Sequence, residues 1–212
     1  MENKSNYKRI VAHYEDCLGE YGDTHLGVDW PNEEDAKMRY KVMLDILKFV
    51  NPKDGKIKLL DFGCGTGHLL EFINQHDLNE RIEYIGLDLS QKFVDMSEKK
   101  FPNHKFICSD VLENEINESF DIIIMNGIFT EKLSLTENEM WDYFKRLLQW
   151  AFNNTKMAVS FNVMSKIVDW EREDLFHMSM DKLGKYLSDS LTRNYIIRND
   201  YGLYEFTTYL IK

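Results

Sequence analysis

Three glycines at alternate positions follow a run of apolar residues and carry the first chemical signal in the chain. Gly63, Gly65 and Gly67 come after the predicted strand Lys58–Phe62, where a helical pattern starts. Glycine there lets the backbone approach a ligand closely, and the start of the helix offers unpaired N–H groups. The G-x-G-x-G spacing, with Asp61 two residues ahead, differs from the G-x-G-x-x-G spacing of dinucleotide sites. The turn therefore predicts a site for another kind of ligand.

Two further carboxylates follow the next apolar runs. Asp88 closes Tyr84–Leu87, and Asp110 follows Phe106–Ser109. Because open α/β sheets bind ligands at the carboxyl ends of their strands, both acids are expected beside the glycine turn. A carboxylate at Asp88 can accept two hydrogen bonds from a ribose diol, and one at Asp110 can accept from an adenine amino group. Taken alone, Asp61 is equally well explained as a cap of the following helix, and Asp88 as a surface turn residue. Their joint spacing favours ligand binding.

The elements that must position these residues alternate between short apolar runs and helical stretches, which indicates a parallel βαβ sheet. An amphipathic helix is predicted from Tyr7 to about Gly19, and a second helix between the N-cap Asn32 and Pro52. The predicted strands are Lys58–Phe62, Glu83–Leu87, Lys105–Cys108, Asp121–Met125 and Met157–Asn162. Further N-caps are predicted at Ser90 and at Thr136, the latter in a capping box with Glu139.

The C-terminal segment changes pattern. Arg193–Ile197 and Glu205–Ile211 are β-rich and are joined by the turn-like Asn199–Gly202, which predicts an antiparallel hairpin at the edge of the sheet. No linker is visible, so one domain is expected over residues 1–212, with an N-terminal helical lid at 1–52 and a core at 57–212. The predicted fold class is α/β: a Rossmann-like, mostly parallel seven-stranded sheet with helices on both faces.

Together these motifs resemble those of class I S-adenosylmethionine-dependent methyltransferases. The likeness runs from about Leu59 to the C-terminus, and Phe120–Gly127 matches the family's fourth strand, whose end faces the reacting methyl group. The resemblance implies that the glycine turn and Asp61 hold the methionine end, Asp88 the ribose, and Asp110 with Val111 the adenine. The cofactor-binding residues implied in full are Arg39, Asp61, Gly63, Cys64, Gly65, Gly67, Asp88, Leu89, Asp110, Val111 and Asn126. At Cys64 the backbone is expected to matter, since no activating partner for the thiol is identifiable.

Acceptor specificity in this family comes from variable additions, so we expect it in the first fifty residues, the loop after the fourth strand and the stretch before the terminal hairpin. The segment Tyr21–Trp30 is rich in aromatic residues and glycine and is interpreted as a lid. Arg39, on the otherwise apolar side of the next helix, fits either a salt bridge with Asp35 or a cation for the cofactor carboxylate, the latter by similarity to some small-molecule N-methyltransferases. The predicted acceptor-binding residues are Tyr21, Trp30, Phe129, Thr130, Tyr201 and Tyr204.

Gly27–Asp35 and Tyr201–Thr207 also resemble small methyltransferases of bacterial surface-polysaccharide clusters. This resemblance implies a sugar or another capsule or lipopolysaccharide precursor as acceptor. A hydroxyl acceptor would need a base, for which His25 and His177 are the candidates, although each fits a hydrogen-bonded structural histidine as well. An amine acceptor would need positioning alone. The family's Asn/Asp-Pro-Pro-Tyr signature of amino methylation is absent, and Asn126–Phe129 stands in its place. This difference argues against N-methylation of a nucleobase or of glutamine.

Composition argues against several other kinds of partner, site and segment. The formal net charge of -10 argues against a nucleic-acid partner, since phosphate binding needs clustered Lys and Arg. Cys17, Cys64 and Cys108 lack a Cys-x-x-Cys pair, so reduced cytoplasmic thiols and no metal are expected. No apolar run is long enough for a membrane span, and the first ten residues are too polar for a secretory segment. A homodimer stays open. The alternatives are a nicotinamide-dependent oxidoreductase, which the glycine spacing disfavours, a non-catalytic S-adenosylmethionine-binding protein, and a nucleic-acid methyltransferase.

Overall fold

The computed structural model describes residues 7–52 and 55–212, so the first six residues of the predicted N-terminal lid and of the polar N-terminal segment lie outside it. The helices are α1 (Lys8–Tyr21), α2 (Glu33–Leu44), α3 (His68–Gln75), α4 (Gln91–Lys100), α5 (Glu137–Asn154) and α6 (Met180–Ser190). The strands are β1 (Ile57–Phe62), β2 (Ile82–Asp88), β3 (Lys105–Cys108), β4 (Phe120–Met125), β5 (Thr155–Ser165), β6 (His177–Met178), β7 (Tyr195–Arg198) and β8 (Glu205–Ile211). Short 3-10 helices lie at Leu26–Val28 and Asp45–Lys48.

The strands form one sheet in the order β3-β2-β1-β4-β5-β8-β7. β1 to β5 run parallel, whereas β8 pairs antiparallel with both β5 and β7. The predicted α/β fold with its C-terminal hairpin is confirmed. The sheet has eight strands rather than seven, because β6 pairs with the end of β5 beside Met164 and Ser165. A two-residue strand is too short to produce an alternating pattern and therefore could not be recognised from the sequence.

Apolar residues fill both faces of the sheet. Leu60, Ile85 and Ile123 belong to one buried cluster, whereas Leu59 and Tyr84 belong to the other. Strands that are covered on both faces read as continuous apolar runs, which explains why β1 and β4 lack alternation. The carboxyl ends of these central strands meet at one edge of the sheet, and the loops that leave them form the site.

Several helix starts follow the predicted capping chemistry. Asn32 accepts a hydrogen bond from the Asp35 N–H at 3.1 Å, and the Thr136–Glu139 capping box is complete. Ser90 caps α4. These caps satisfy N–H groups that the first turn of a helix leaves unpaired. Within the two described segments, no helix is both long and apolar enough to cross a bilayer.

Candidate active site

The glycine turn between β1 and α3 takes a backbone path that suits glycine. Gly63, Gly65 and Gly67 have φ angles of 77°, 53° and 81°. A Cβ atom at Gly63 would stand 2.1 Å from Cδ1 of Ile128, and one at Gly65 would stand 3.3 Å from Cγ1 of Val28. The left-handed φ angles favour glycine at all three positions, and a side chain at Gly63 or Gly65 would also have to displace the ends of the Ile128 and Val28 side chains. Gly63 and Gly65 line a cavity above the strand ends.

Asp88, at the end of β2, closes this turn from the side. Its Oδ2 accepts a hydrogen bond from the Gly65 N–H at 3.0 Å, and its Oδ1 accepts from the Ser90 N–H at 2.9 Å. Burial raises the pKa of the Asp88 carboxyl, while the backbone N–H groups of Ser90 and Gly65 oppose the rise. Asp88 and Leu89 both line the cavity, so the acid fixes the glycine turn and borders the ligand space.

Asp61 lies deeper, beneath the turn. Its Oδ2 accepts a hydrogen bond from the Tyr84 hydroxyl at 2.7 Å, and the residue is 3% exposed. Burial, with a smaller contribution from the charge of Asp88, raises the pKa of Asp61 to about 7 despite the Tyr84 hydrogen bond. Asp61 borders a smaller cavity of about 40 Å³ that also touches Cys64, Trp30 and Asn126. The Cys64 thiol is buried, and burial raises its pKa, so it is not an activated nucleophile.

Asp110 is held by an aromatic pair from two other elements. Its Oδ2 accepts a hydrogen bond from the Tyr7 hydroxyl at 2.7 Å, and its Oδ1 accepts from the Leu112 N–H at 3.0 Å. The Tyr7 ring stacks on Tyr143 of α5, with centroids 4.8 Å apart and an interplanar angle of 14°. Val111, the other predicted adenine neighbour, is buried. Each oxygen of Asp110 thus already accepts one hydrogen bond within the chain and keeps a further lone pair that could accept from an adenine amino group.

The main cavity has a volume of about 120 Å³ and opens between α1, the loop before α2 and the strand ends. Its walls are mostly aromatic and aliphatic, with Asp88 and Asn126 among the polar exceptions. Oδ1 of Asn126 is buried and makes no hydrogen bond within the described part of the chain. Buried polar atoms are rarely left unpaired, so this oxygen marks a position for a ligand donor.

Sequence reasoning missed the contribution of α1 to this cavity. Tyr7, Ile10, Val11 and Tyr14 line it, as does Tyr143 of α5. Their spacing predicts an apolar face on an amphipathic helix, and such a face usually packs against the core. The signal that could have found them is the excess of tyrosine, since the polar tip of a tyrosine suits a surface that also contacts a ligand.

A closed set of contacts holds Trp30 over the cavity. The Arg39 guanidinium lies 4.0 Å from the centroid of the Trp30 ring, and its Nε bonds to Oε2 of Glu205 at 2.8 Å. The Asn162 amide donates to Oε1 of Glu205 at 2.9 Å, and its Oδ1 accepts from the Gly127 N–H at 2.8 Å. Trp30 packs on Gly127 in turn.

The ion-pair partner of Arg39 is therefore Glu205 of β8, and not Asp35, four residues earlier on α2. Glu205 is 1% exposed, and a buried carboxylate without a partner is costly. The pair fixes the orientation of the guanidinium through Nε. Arg39 thus connects the sheet with the aromatic cover of the cavity, and its predicted contact with a cofactor carboxylate stays a prediction.

The two predicted histidines lie away from the cavity lining. Nδ1 of His25 is 2.6 Å from the Trp30 carbonyl oxygen, and the ring borders a separate surface cleft beside α3. His177 is buried; its Nδ1 is 2.7 Å from the Ser165 carbonyl oxygen, and its Nε2 accepts from the Arg172 N–H at 3.1 Å. Both ring nitrogens of His177 are thus engaged by the backbone.

The predicted acceptor residues are dispersed. Trp30 lines the main cavity, whereas Phe129 packs in the core against Phe144 and Phe161. The carbonyl oxygen of Thr130 accepts a hydrogen bond from the Phe176 N–H. Three tyrosines lie elsewhere: Tyr21 and Tyr204 are 44% and 60% exposed, and the Tyr201 hydroxyl lies 2.9 Å from the Thr207 hydroxyl.

A family model described as "Methyltransferase domain" matches residues 59–151, the stretch that contains most of β1, all of β2 to β4 and the three acids. A putative methyltransferase of Mycobacterium tuberculosis, Rv1506c, is 26% identical over 166 residues, which cover 76% of this chain and 96% of that protein. The match identifies a methyltransferase domain in this chain. The prediction of the enzyme class is confirmed, and the nicotinamide-dependent alternative is dropped.

Other relatives of this methyltransferase match over shorter stretches. The malonyl-[acyl-carrier protein] O-methyltransferase of Acetivibrio thermocellus is 29% identical over 97 residues, which are 44% of this chain and 34% of that protein. Among solved structures, an S-adenosylmethionine-dependent methyltransferase from Clostridium acetobutylicum shares the fold at a TM-score of 0.55 and 15% identity, with 97% and 98% of the two chains covered. The plantazolicin methyltransferase BpumL, solved with S-adenosylhomocysteine, has a TM-score of 0.58 at 15% identity. The alignment covers 99% of this chain and 91% of BpumL.

Proposed function

We propose that this methyltransferase transfers a methyl group to a small-molecule acceptor, a hydroxyl or amine of a sugar or other surface-polysaccharide precursor. The observation that carries the small-molecule part is the set of residues that line the cavity. The cavity is bounded on one side by the glycine turn and on the other by Tyr14 of α1 and Trp30 of the lid. Such a concave, largely apolar space suits a small ligand that reacts away from water.

The residues fit S-adenosylmethionine. The cradle at Gly63 and Gly65 has no room for side chains, and the buried Asn126 Oδ1 has no donor within the described residues. In our proposal Asp61 and the glycine turn hold the methionine end, Asp88 the ribose diol, and Asp110 the adenine. When bound, the cofactor supplies a methyl group on a sulfonium, which already carries its own leaving group.

The chain's own contribution is to orient the acceptor and exclude water. Trp30 lines the cavity and is held through Arg39 and Glu205, so side-chain contacts as well as the lid backbone fix its position. Fixing two reactants in line removes much of the entropic cost of a bimolecular step. The rigid support of the aromatic cover is thus the feature through which this chain would accelerate transfer.

The choice of acceptor depends on elements outside the matched domain. The family model spans residues 59–151, whereas the cavity wall also includes α1 and Trp30. The stated substrates of the acyl-carrier O-methyltransferases therefore do not transfer to this chain. The resemblance of Gly27–Asp35 and Tyr201–Thr207 to polysaccharide-cluster methyltransferases supports the sugar-type acceptor, and the charge of -10 supports the absence of a nucleic-acid partner.

A second candidate function is N-methylation of a small amine by positioning alone. It is favoured by one observation: within the described residues, no histidine lines the main cavity. A hydroxyl acceptor requires that its proton be removed, whereas a neutral amine does not. We further propose a cytoplasmic location. Measurement of the molar mass in solution tests for a homodimer.

The test is release of S-adenosylhomocysteine from the full chain in the presence of nucleotide sugars, sugar phosphates and small amines. The matched control is the Asp88→Ala variant, which should lose turnover through weaker cofactor binding. Turnover with a sugar compound supports the first candidate, and turnover with amines alone supports the second. Tight S-adenosylmethionine binding without turnover on the whole panel would contradict both.

A further inference from the structure

Three side chains with metal-ligand chemistry converge outside the proposed methyl-transfer site. His13 and Cys17 are four residues apart and therefore lie on one face of α1. Asp29 comes from the lid, where its backbone has a φ of 58°. The His13 Nε2 atom is 2.8 Å from Asp29 Oδ2 and 3.8 Å from Cys17 Sγ. All three ligand atoms lie within 4.8 Å of one another.

The two partners approach the same histidine nitrogen, so the three groups face a common point. An imidazole, a thiolate and a carboxylate are together the donor set that zinc prefers, with ligand distances of about 2.0 to 2.3 Å. We propose that His13, Cys17 and Asp29 bind a divalent metal ion of the zinc class, which joins α1 to the lid. The Cys17 S–H bond breaks as the sulfur–metal bond forms, and the proton leaves to solvent.

The cysteines alone did not reveal this arrangement. Zinc motifs are recognised by paired cysteines or histidines at short spacing, and here the ligands come from a helix face and a distant loop. The proposed metal site would have a structural role, because it connects α1, which contributes Tyr14 to the cavity lining, to the loop that contributes Trp30. Metal binding would fix these two walls of the cavity relative to each other. The proposal does not depend on methyl transfer.

The experiment uses the full chain after removal of metal with a chelator. Titration with Co²⁺ should give one ion per chain and a sulfur-to-cobalt charge-transfer band, and competition should show that Zn²⁺ displaces it. Excess Zn²⁺ should raise Tm by about 5–10 °C when the free ion is roughly one hundredfold above Kd. Cys17→Ser should abolish the charge-transfer band, and His13→Ala should weaken Zn²⁺ binding at least about tenfold.

Matched controls are Cys108→Ser, which removes an exposed free thiol, and His76→Ala, which removes an exposed histidine. Both should bind Co²⁺ and Zn²⁺ like the parent. The proposal is overturned if the parent shows no stoichiometric binding. It is also overturned if Cys17→Ser and His13→Ala bind as the parent does, or if Cys108→Ser loses the band. In those cases His13 and Asp29 form a plain hydrogen-bonded pair.

Discussion

The indole of Trp30 packs directly on the backbone of Gly127. A Cβ atom at Gly127 would stand 2.9 Å from Cζ2 of Trp30, and the φ angle of Gly127 is 79°. The lid and the loop after β4 therefore share a contact that leaves no space for a methyl group.

Gly127→Ala tests this contact. The new methyl group should push Trp30 away from the cavity, so we expect a loss of turnover with a smaller effect on S-adenosylhomocysteine affinity. The matched control is Gly202→Ala, since Gly202 has a φ of 76° but nothing within 4 Å of an added Cβ. Both variants carry the same backbone strain, so the difference between them isolates the clash. Equal turnover in the two variants would contradict a role for the Trp30 contact.

Gly65→Val should abolish cofactor binding while the chain stays folded. The side chain would enter the cradle between β1 and α3, where Gly65 has a φ of 53° and Val28 lies 3.3 Å from an added Cβ. The measurements are calorimetric titration with S-adenosylhomocysteine and circular dichroism of the free protein. Undiminished affinity in a folded variant would remove the assignment of the glycine turn.

Asp88→Ala should weaken S-adenosylhomocysteine binding by about 1.5–3 kcal/mol, or roughly 10- to 100-fold. The reason is the loss of charged hydrogen bonds to the ribose diol, together with the loss of the acceptor for the Gly65 N–H. Asp88→Asn is the control, because it keeps one acceptor oxygen but no charge, and it should fall between the parent and the alanine variant. An unchanged dissociation constant in Asp88→Ala would place the ribose elsewhere.

Features that depend on residues close together in the sequence could be predicted, whereas contacts between residues far apart in the sequence could not. The strands from β1 to β4, the caps at Asn32 and Thr136 and the terminal hairpin depend on neighbouring residues, and the sequence predicted them. The Arg39–Glu205 pair joins residues 166 positions apart, and no local pattern announces it. The same holds for Tyr7, whose hydroxyl bonds to Asp110 across 103 positions.

The acceptor side was the least predictable for a related physical reason. Aromatic residues such as Phe129 and Tyr204 look alike in sequence, yet one is fully buried against Phe144 and the other is mostly exposed. Only packing decides which aromatic side chain meets a cavity. The cofactor side is different, because its glycines and acids are required by backbone geometry at fixed distances from strand ends.

Stability should fall as pH rises from about 5 to 8 because of two buried carboxyl groups. The pKa of Asp61 rises from 3.8 to about 7, and that of Glu131 rises from 4.5 to about 7, in both cases mainly through burial. The folded state thus holds these protons more tightly than the unfolded state. The stabilisation is complete below the unfolded pKa values and is lost as pH rises through the folded ones.

Asp61→Asn should remove the Asp61 part of this loss, which is on the order of a few kcal/mol, since an amide oxygen can still accept from Tyr84. Glu131→Gln is the matched variant for the second group. Urea unfolding at pH 5 and pH 8, with chelator present to exclude metal binding, measures both. A pH dependence in each variant equal to that of the parent would contradict the assignment.

The last prediction concerns the base. In a hydroxyl-methylating enzyme with His25 as base, His25→Ala should cut turnover by about 10²- to 10⁴-fold and leave cofactor affinity nearly unchanged. The rate of the parent should fall on the acidic side, because a protonated imidazole cannot accept the acceptor's proton. For this role the lid must bring the ring from its surface cleft toward the main cavity, while Nδ1 keeps its contact with the Trp30 carbonyl oxygen.

His177→Ala is the matched variant, and its expected effect differs. The substitution leaves the Ser165 carbonyl oxygen and the Arg172 N–H without their partner, which should cost about 1–3 kcal/mol of stability. Thermal unfolding separates that loss from a loss of turnover per folded molecule. The variant that loses the acidic limb of the pH–rate profile identifies the base. If both variants keep near-normal turnover and the same acidic limb, histidine catalysis is excluded, and an amine acceptor that reacts through positioning alone is favoured.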